Sequence, residues 1–344
     1  MSVPELERVV GEIARRKAHR VLLQLPDGLK RLGPGLANEI EDSTDATVII
    51  SGGHCYGACD LALGEAMALG VDLILHYGHT PWSYETTIPA LFLEARAELD
   101  LRPSVREAIS LLEGVRAVGL AATVQFVSQL GEVKELLERQ GKRVYMGKGR
   151  GELPYDGQIT GCNYATSVSV AKKVDAFLVV GGGTFHALGL ALMLDKRVVA
   201  VDPYTGRSTD VGDLRKRVLM QRWGLISKAR EYRTFGVIVG SMPGQEKFQE
   251  AVKIQNKLRR HEKTSVMISL QNITEEALLP FENIDAFVDT ACPRVAIDDL
   301  ASFSKPILLP GEVDVILGEA TWNAKKPLRV NDSFWLALPS QWVR

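Results

Sequence analysis

The residues with the most specific chemistry in this chain are its four cysteines. Cys55 and Cys59 are separated by three residues in the glycine-rich stretch GGHCYGACD at 52–60, whereas Cys162 lies in GCNYAT and Cys292 in DTACPR. Cysteine thiolates bind iron–sulfur clusters and zinc, and free cysteines are also common as small buried side chains. Whether these four form one site depends on the elements that carry them.

The composition is typical of a soluble globular protein with a neutral charge balance. The 344 residues are 46% hydrophobic and 24% charged, with 41 Lys and Arg against 42 Asp and Glu. There is no bulk charge to attract nucleic acid or an anionic membrane, so we expect a protein or small-molecule partner and neither nucleic acid nor membrane. The apolar run at 187–194 is among the longest and falls short of the roughly 18 residues of a membrane helix.

The N-terminal stretch predicts an amphipathic helix rather than a signal peptide. Its early residues include acids, and Leu6, Val9, Val10 and Ile13 recur at helical spacing. A cytoplasmic location is therefore predicted. In that reducing compartment the cysteines are expected to be reduced, metal-bound or catalytic rather than joined in disulfides.

Three segments of the chain repeat one order of elements: an apolar strand, a turn, an amphipathic helix, a second strand, and a third strand that opens with Val-Asp or Ile-Asp. These third strands read VDLILHYG (71–78), VDAFLVVGG (174–182) and IDAFVDTA (284–291). Apolar strands alternating with helices are typical of parallel sheets covered on both faces.

The sequence therefore predicts an α/β fold with three repeated α/β domains, at 1–114, 115–232 and 233–344. One large doubly wound domain is the alternative. Ligand-handling residues of such sheets collect at the carboxyl ends of the strands. Three domains presenting those ends to one another would enclose a central site.

The repeat also sorts the cysteines. Cys59 lies 12 residues before Val71, and Cys162 lies 12 residues before Val174. The third repeat has no cysteine at that position but carries Cys292 at the end of its third strand. Each repeat thus supplies one cysteine near the end of a strand. Cys55 is the extra one, and we expect it to be a neighbouring buried thiol.

The residues alone leave three interpretations of this cysteine pattern open. Three thiolates can hold three irons of a four-iron, four-sulfur cluster and leave the fourth iron open for a substrate. A three-cysteine zinc site is the second reading, with an open position or with Cys55 or His54 as the fourth ligand. The third is that the cysteines are simply small buried side chains.

Four motifs give the chain a family resemblance that covers nearly its whole length. They are CYGACDLA around Cys59, GCNYAT around Cys162, DTACPRVAIDD around Cys292, and LPDGL at 25–29. Together they resemble the archaeal diphthamide-synthesis enzymes, the 2-(3-amino-3-carboxypropyl)histidine synthases. The resemblance implies a triplicated α/β fold, a homodimer, and a 4Fe-4S cluster held by Cys59, Cys162 and Cys292.

The resemblance also implies an unusual radical reaction with S-adenosylmethionine. The bond between the sulfonium and the methionine γ-carbon is cleaved, which gives methylthioadenosine and a 3-amino-3-carboxypropyl radical. This group is added to a histidine of translation elongation factor 2, the first step of diphthamide biosynthesis. The C-x3-C-x2-C run of ordinary radical enzymes is absent, because Cys59 is followed by Asp60, Leu61 and Ala62.

Residues near the strand ends are further candidates for contacts to S-adenosylmethionine. Asp27 and Gly28 in QLPDGL can meet the adenosine, or Asp27 can cap the next helix. Arg294 can pair with the methionine carboxylate through its guanidinium fork. His186, which follows the glycines at 181–183, can contact substrate or serve as a structural hydrogen-bonding histidine. The same two readings apply to His79 in HYGH, at 76–79.

Two other functions compete with the transferase. A quinolinate-synthase-like dehydratase also places three domains around a three-cysteine cluster, whose open iron acts as a Lewis acid. The motifs around Cys59 and Cys292 argue against it. An electron-relay subunit is the non-enzymatic alternative, and a test for cleavage of S-adenosylmethionine separates the three.

Overall fold

A computed structural model of the chain describes residues 5–82, 86–298 and 302–322. Its strands are β1 Arg20–Gln24, β2 Thr47–Ile50, β3 Leu73–Tyr77, β4 Ala90–Leu93, β5 Ala117–Ala122, β6 Arg143–Tyr145, β7 Ala176–Val180, β8 Arg197–Asp202, β9 Arg207–Asp210, β10 Thr234–Gly240, β11 Thr264–Leu270, β12 Ala286–Asp289 and β13 Ile307–Leu308.

The α-helices are α1 Leu6–Arg16, α2 Gly33–Ser43, α3 Leu63–Ala68, α4 Arg102–Leu111, α5 Leu130–Arg139, α6 Ala165–Val170, α7 Phe185–Met193, α8 Gly212–Ala229, α9 Phe248–Arg260, α10 Glu275–Leu278, α11 Pro293–Ile297 and α12 Pro310–Ile316. Short 3₁₀ helices cover Asp27–Leu32, Val124–Gln129 and Ala171–Lys173. In the described residues no helix is long and apolar enough to cross a lipid bilayer.

Three sheets share one strand order, which confirms the predicted triplication. The orders are β2-β1-β3-β4, β6-β5-β7-β8-β9 and β11-β10-β12-β13. In each sheet the first strand of the repeat lies between the second and the third, and all pairs are parallel except β8 with β9. The apolar runs read from the sequence are these parallel strands, and the predicted N-terminal amphipathic helix is α1.

The aspartate that opens each third strand has the same structural role in all three repeats. Asp72 accepts hydrogen bonds from the backbone N–H groups of His19 and Arg20 at 2.9 and 2.8 Å, where β1 begins. Asp175 does the same at the start of β5, and Asp285 at the start of β10. The Val-Asp and Ile-Asp signature therefore marks a carboxylate that fixes the first strand of a repeat against the third.

The chain forms two compact units. The first unit comprises Met1–Ala97 with Met242–Gly244, and the second comprises Glu98–Ser241 with Gln245–Arg344. The first sheet belongs to the first unit, whereas the second and third sheets belong to the second unit. The domain boundaries expected after residues 114 and 232 stay a prediction.

Each unit has its own apolar core. In the first unit, Val9 and Ile13 of α1 pack with Leu23, Leu73 and other strand side chains on one face of the sheet. In the second unit, separate clusters cover the second sheet and both faces of the third. These buried faces hold the strands in place and so fix the positions at which the glycine-rich segments begin.

A buried ion pair joins α8 to α12 in the second unit. The Arg222 guanidinium is bound by both carboxylate oxygens of Glu312, and it also donates to the backbone carbonyls of Ala296 and Ile307 at 2.7 and 2.9 Å. Both side chains are 2% exposed. Because a buried charge without partners is very costly, these contacts fix the helices together.

Candidate metal centre at the carboxyl ends of the strands

Cys59 lies in a tight turn between β2 and α3 in the first unit. The Asp60 backbone N–H donates to the Gly57 carbonyl at 3.0 Å, and the Asp60 carboxylate accepts from the Tyr56 N–H at 3.3 Å. Asp60 is buried, and this burial raises the pKa of its carboxyl. Cys59 is partly exposed. A fixed turn that leaves the cysteine partly exposed suits a metal ligand.

Gly244 contacts the backbone of Cys59 directly. Its N–H donates to the Cys59 carbonyl at 2.9 Å. A Cβ at position 244 would lie 2.5 Å from the Cys59 Cα and 2.6 Å from the Cys59 Cβ. Only glycine therefore fits at this position without a shift of the backbone that carries Cys59.

Cys55 differs from Cys59 in being buried, as expected of the cysteine without a counterpart in the repeat. Burial raises the pKa of the Cys55 thiol to about 12. Its Sγ lies within 4.8 Å of a ring nitrogen of His76 and a ring nitrogen of His79. Burial lowers the pKa of His79 to about 4 and puts that of His76 well below its usual range, so both imidazoles are neutral.

Cys162 occupies the corresponding position in the second repeat, between β6 and α6. The Thr160 hydroxyl lies 3.6 Å from its Sγ. Burial raises the pKa of the Cys162 thiol, while the positive charges of Lys247 and Arg294 act in the opposite direction. A cluster bound by three thiolates is anionic, so these two cations suit a metal centre at this thiol.

Cys292 immediately precedes α11, in the short turn that follows β12. The Asp289 carboxylate accepts from the backbone N–H groups of Ala291 and Cys292 at 2.7 and 3.3 Å. Asp289 is buried, and this burial raises the pKa of its carboxyl to about 7 in spite of those two donors. The carboxylate shapes the turn that presents the partly exposed Cys292.

Arg294 lies on an aromatic ring next to the Cys162 segment. Its guanidinium carbon is 3.1 Å from the centroid of the Phe185 ring, and its Nε is 3.7 Å from Asp298. A Cβ at Gly161 would lie 2.4 Å from an atom of the same ring, so the ring packs closely against that glycine. The structure thus brings Arg294 and the residue before Cys162 into contact with one phenylalanine.

His186 follows Phe185 in the first turn of α7. The two rings meet edge to face with centroids 4.9 Å apart. The glycines at 181–183 form the turn between β7 and this helix, and Gly183 has a left-handed φ of 66°. The sequence candidates His186 and Arg294 therefore lie against the same aromatic ring in the second unit.

Asp27 and Gly28 begin the 3₁₀ helix after β1 in the first unit. The Asp27 carboxylate binds Lys30 and His54, each at 2.7 Å, and it does not cap the helix. Hydrogen bonds from Lys30 and then His54 lower the pKa of Asp27. A Cβ at Gly28 would meet no atom within 4 Å, so open space lies beside it.

Sequence reasoning missed three features of this region. Gly244 lies in a Met-Pro-Gly turn that has no recognisable motif, and its contact with Cys59 joins residues that are far apart in sequence. Phe185 had no motif of its own. The His76–His79 pair is visible as HYGH, but a separation of 21 residues between Cys55 and His76 gives no sign that they lie close together.

Comparisons with known proteins agree on one family. Residues 25–327 match the family described as "Putative diphthamide synthesis protein". The chain is 37% identical to the 2-(3-amino-3-carboxypropyl)histidine synthase of Pyrococcus horikoshii, over 92% of this chain and 90% of that protein. It is 30% identical to subunit 1 of the synthase from Schizosaccharomyces pombe, over 94% of this chain and 76% of that protein.

Solved structures give the same result. The crystal structure of Dph2 from Pyrococcus horikoshii superposes with a TM-score of 0.86 at 33% identity, covering 95% of this chain and 94% of that one. The structure of the same protein with a 4Fe-4S cluster gives 0.84 at 35% identity, covering 93% and 92%.

Proposed function

The chain belongs to the family of diphthamide synthesis proteins, and from this membership we propose that it is a 2-(3-amino-3-carboxypropyl)histidine synthase. It transfers the 3-amino-3-carboxypropyl group of S-adenosylmethionine to a histidine of translation elongation factor 2, the first step of diphthamide biosynthesis. The observation that carries the proposal is that each repeat supplies one partly exposed cysteine in a segment that follows a strand and precedes a helix.

Cys59, Cys162 and Cys292 are the proposed ligands of a 4Fe-4S cluster. Their donor set fits the group, because three thiolates leave one iron open to substrate and because Lys247 and Arg294 lie close enough to Cys162 to favour an anionic centre. When bound, such a cluster supplies the low-potential electron that cleaves the sulfonium–γ-carbon bond. The residues of the chain then have to hold the substrate and exclude competing reactions.

Arg294 is the proposed partner of the methionine carboxylate. Its guanidinium is held over Phe185 and makes a long ion pair with Asp298, which leaves donor groups for a bidentate contact. An arginine held flat on a ring loses less freedom when it binds a carboxylate. His186, on the same ring, is proposed to contact the substrate beside it.

Asp27 and Gly28 are proposed to contact the adenosine. Asp27 is an exposed carboxylate that can accept hydrogen bonds from ribose hydroxyls, and the space beside Gly28 lets the substrate approach the backbone closely.

We also infer a cytoplasmic homodimer. Light scattering of the purified protein tests the dimer, since a monomer would have half the expected mass.

Product analysis tests the reaction. The protein is reconstituted without oxygen and incubated with S-adenosylmethionine and dithionite, and the nucleosides are separated. Methylthioadenosine is expected, and added elongation factor 2 should receive label from the carboxyl-labelled methionine portion on a histidine. 5′-Deoxyadenosine as the main product would indicate ordinary radical cleavage, and the absence of any nucleoside product would contradict the proposal.

A further inference from the structure

In the first unit, three side chains that can bind a metal lie together, and none of them is one of the three proposed cluster ligands. Cys55 and His76 are buried and His79 is half-buried. The Cys55 Sγ and one ring nitrogen of each histidine lie within 4.8 Å of one another. The diphthamide reaction as proposed above assigns no role to any of them.

Neighbouring strands bring these residues to one edge of the first sheet. β1 lies between β2 and β3, and all three run parallel. Cys55 is in the loop after β2, and His76 and His79 are at the end of β3 and just beyond it. Gln24, the last residue of β1, lies between them in the sheet. The grouping thus follows from the strand order and involves residues that are far apart in sequence.

The hydrogen bonds around Gln24 fix the tautomer of His76. The Gln24 Nε2 donates to the Asp60 carbonyl at 2.6 Å, so its Oε1 is the acceptor for the Ala62 N–H at 3.1 Å and for His76 Nδ1 at 2.9 Å. His76 therefore carries its proton on Nδ1, and its Nε2 has a lone pair. Metal-binding histidines generally donate their other ring N–H to a protein acceptor in this way.

The Nε2 lone pair of His76 points toward His79. His79 Nδ1 lies 2.9 Å from it. In the absence of metal, this contact is a hydrogen bond when His79 carries its proton on Nδ1. In its other neutral tautomer, His79 presents a second lone pair on the same side. A ring nitrogen of each neutral imidazole and the Cys55 thiol lie within 4.8 Å of one another.

We propose that Cys55, His76 and His79 bind one Zn²⁺ ion, separate from the iron–sulfur cluster. Two imidazoles and one thiolate are a donor set that suits zinc, and a water molecule would complete the tetrahedron. Tetrahedral bonds of about 2.0 Å to nitrogen and 2.3 Å to sulfur set the ligand atoms about 3.3 to 3.6 Å apart. Binding would therefore widen the distance of 2.9 Å between His76 Nε2 and His79 Nδ1, and a shift of the glycine-rich loop would bring the Cys55 Sγ closer to the rings.

The ion has a structural consequence for the cluster ligand in the same loop. It joins the segment at 52–60 to the end of β3, and Cys59 lies four residues after Cys55 in that segment. Zinc bound here would hold the Cys59 turn in place when the cluster is lost. This inference does not depend on the reaction, because a zinc site in the first unit can be present or absent whatever the cluster does.

Zinc binding is measured on the full-length chain with Cys59, Cys162 and Cys292 all replaced by serine, so that Cys55 is the one remaining thiol. About one Zn²⁺ per chain is expected after dialysis. Cys55→Ala, His76→Ala and His79→Gln, each added to this background, should weaken zinc binding by at least about 100-fold, more than the loss of an outer-sphere partner does. His261→Gln is the matched control, because this histidine pairs with Glu319 near the surface.

Cobalt provides a second readout of the ligands. Co²⁺ in the same background should give a thiolate-to-metal charge-transfer band that Cys55→Ala abolishes and His261→Gln leaves unchanged. Far-ultraviolet circular dichroism and the urea midpoint of each metal-free variant show that it is folded. Failure of the triple-serine protein to bind zinc would overturn the proposal, as would zinc binding that survives both Cys55→Ala and His79→Gln.

Discussion

The backbone N–H of Gly244 donates to the carbonyl of Cys59 at 2.9 Å, although the two residues are 185 positions apart. The contact is so close that position 244 has no room for a side chain. Gly244 therefore helps to position a proposed cluster ligand, although it carries no ligand atom itself.

Gly244→Ala should reduce the iron content of the reconstituted protein to well below half. The new Cβ would lie 2.5 Å from the Cys59 Cα, so the backbone has to move and the thiol moves with it. Iron and sulfide analysis measures the effect. Gly131→Ala in α5 is the matched control, because a Cβ there meets no atom within 4 Å. Equal iron content in both variants would show that the Cys59 backbone tolerates the shift.

Serine substitutions should separate Cys55 from the other three cysteines. Cys59→Ser, Cys162→Ser and Cys292→Ser should each lose most of the iron, because a serine oxygen is a poor substitute for a thiolate. Cys55→Ser should keep about four irons per chain, by the stoichiometry of the cluster, and should lose the zinc. Loss of iron from Cys55→Ser with iron retained in Cys59→Ser would contradict the assignment made from the repeat.

Arg294→Gln should weaken binding of S-adenosylmethionine by about 10- to 100-fold. This range corresponds to the loss of a charge-assisted hydrogen-bonded contact of about 1.5–3 kcal/mol. Isothermal calorimetry under anaerobic conditions measures it, with methylthioadenosine as a second ligand. Because methylthioadenosine has no carboxylate, its affinity should stay the same. An equal loss of affinity for both ligands would indicate that Arg294 maintains the shape of the site instead of binding the carboxylate. Arg260→Gln, on the exposed end of α9, is the control.

Asp72→Ala should destabilise the protein by about 1 kcal/mol at pH 7, since it removes the acceptor of two backbone hydrogen bonds. The N–H groups of Arg20 and then His19 lower the pKa of Asp72 in the folded state. The stabilisation is therefore present above the unfolded pKa of about 3.9 and is lost as the pH falls through the folded value. Urea midpoints of the two proteins should differ at pH 7, and the difference should shrink as the pH falls below about 4. A difference that does not depend on pH would mean that the charge is unimportant.

Arg222→Met should cost about 3–5 kcal/mol, because it leaves the Glu312 carboxylate buried without its cation. The double substitution Arg222→Met with Glu312→Leu should recover most of this loss. The urea midpoint of each variant is the measurement. Lys216→Met, which breaks the exposed pair with Asp213, should change stability by less than about 1 kcal/mol. If the double variant is no more stable than Arg222→Met, the loss comes from packing rather than charge.

The sequence by itself determined the local order of elements. Parallel strands buried on both faces have to be apolar throughout, and such runs stand out in any sequence. The Val-Asp and Ile-Asp openings recur because one carboxylate fixes the first strand of every repeat, so the triplication could be read directly. The same register identified Cys59 and Cys162 as counterparts, and the position of Cys55 outside it predicted a buried thiol.

The tertiary structure decided which distant residues meet, both within a repeat and between repeats. The strand order places β1 between β2 and β3, and this order alone brings Gln24, Cys55 and His76 together. The packing of Arg294 on Phe185 and the contact of Gly244 with Cys59 likewise join segments that share no local pattern. A sequence records periodicity along the chain, whereas contacts between distant segments depend on how the sheets pack, and no short-range signal encodes that.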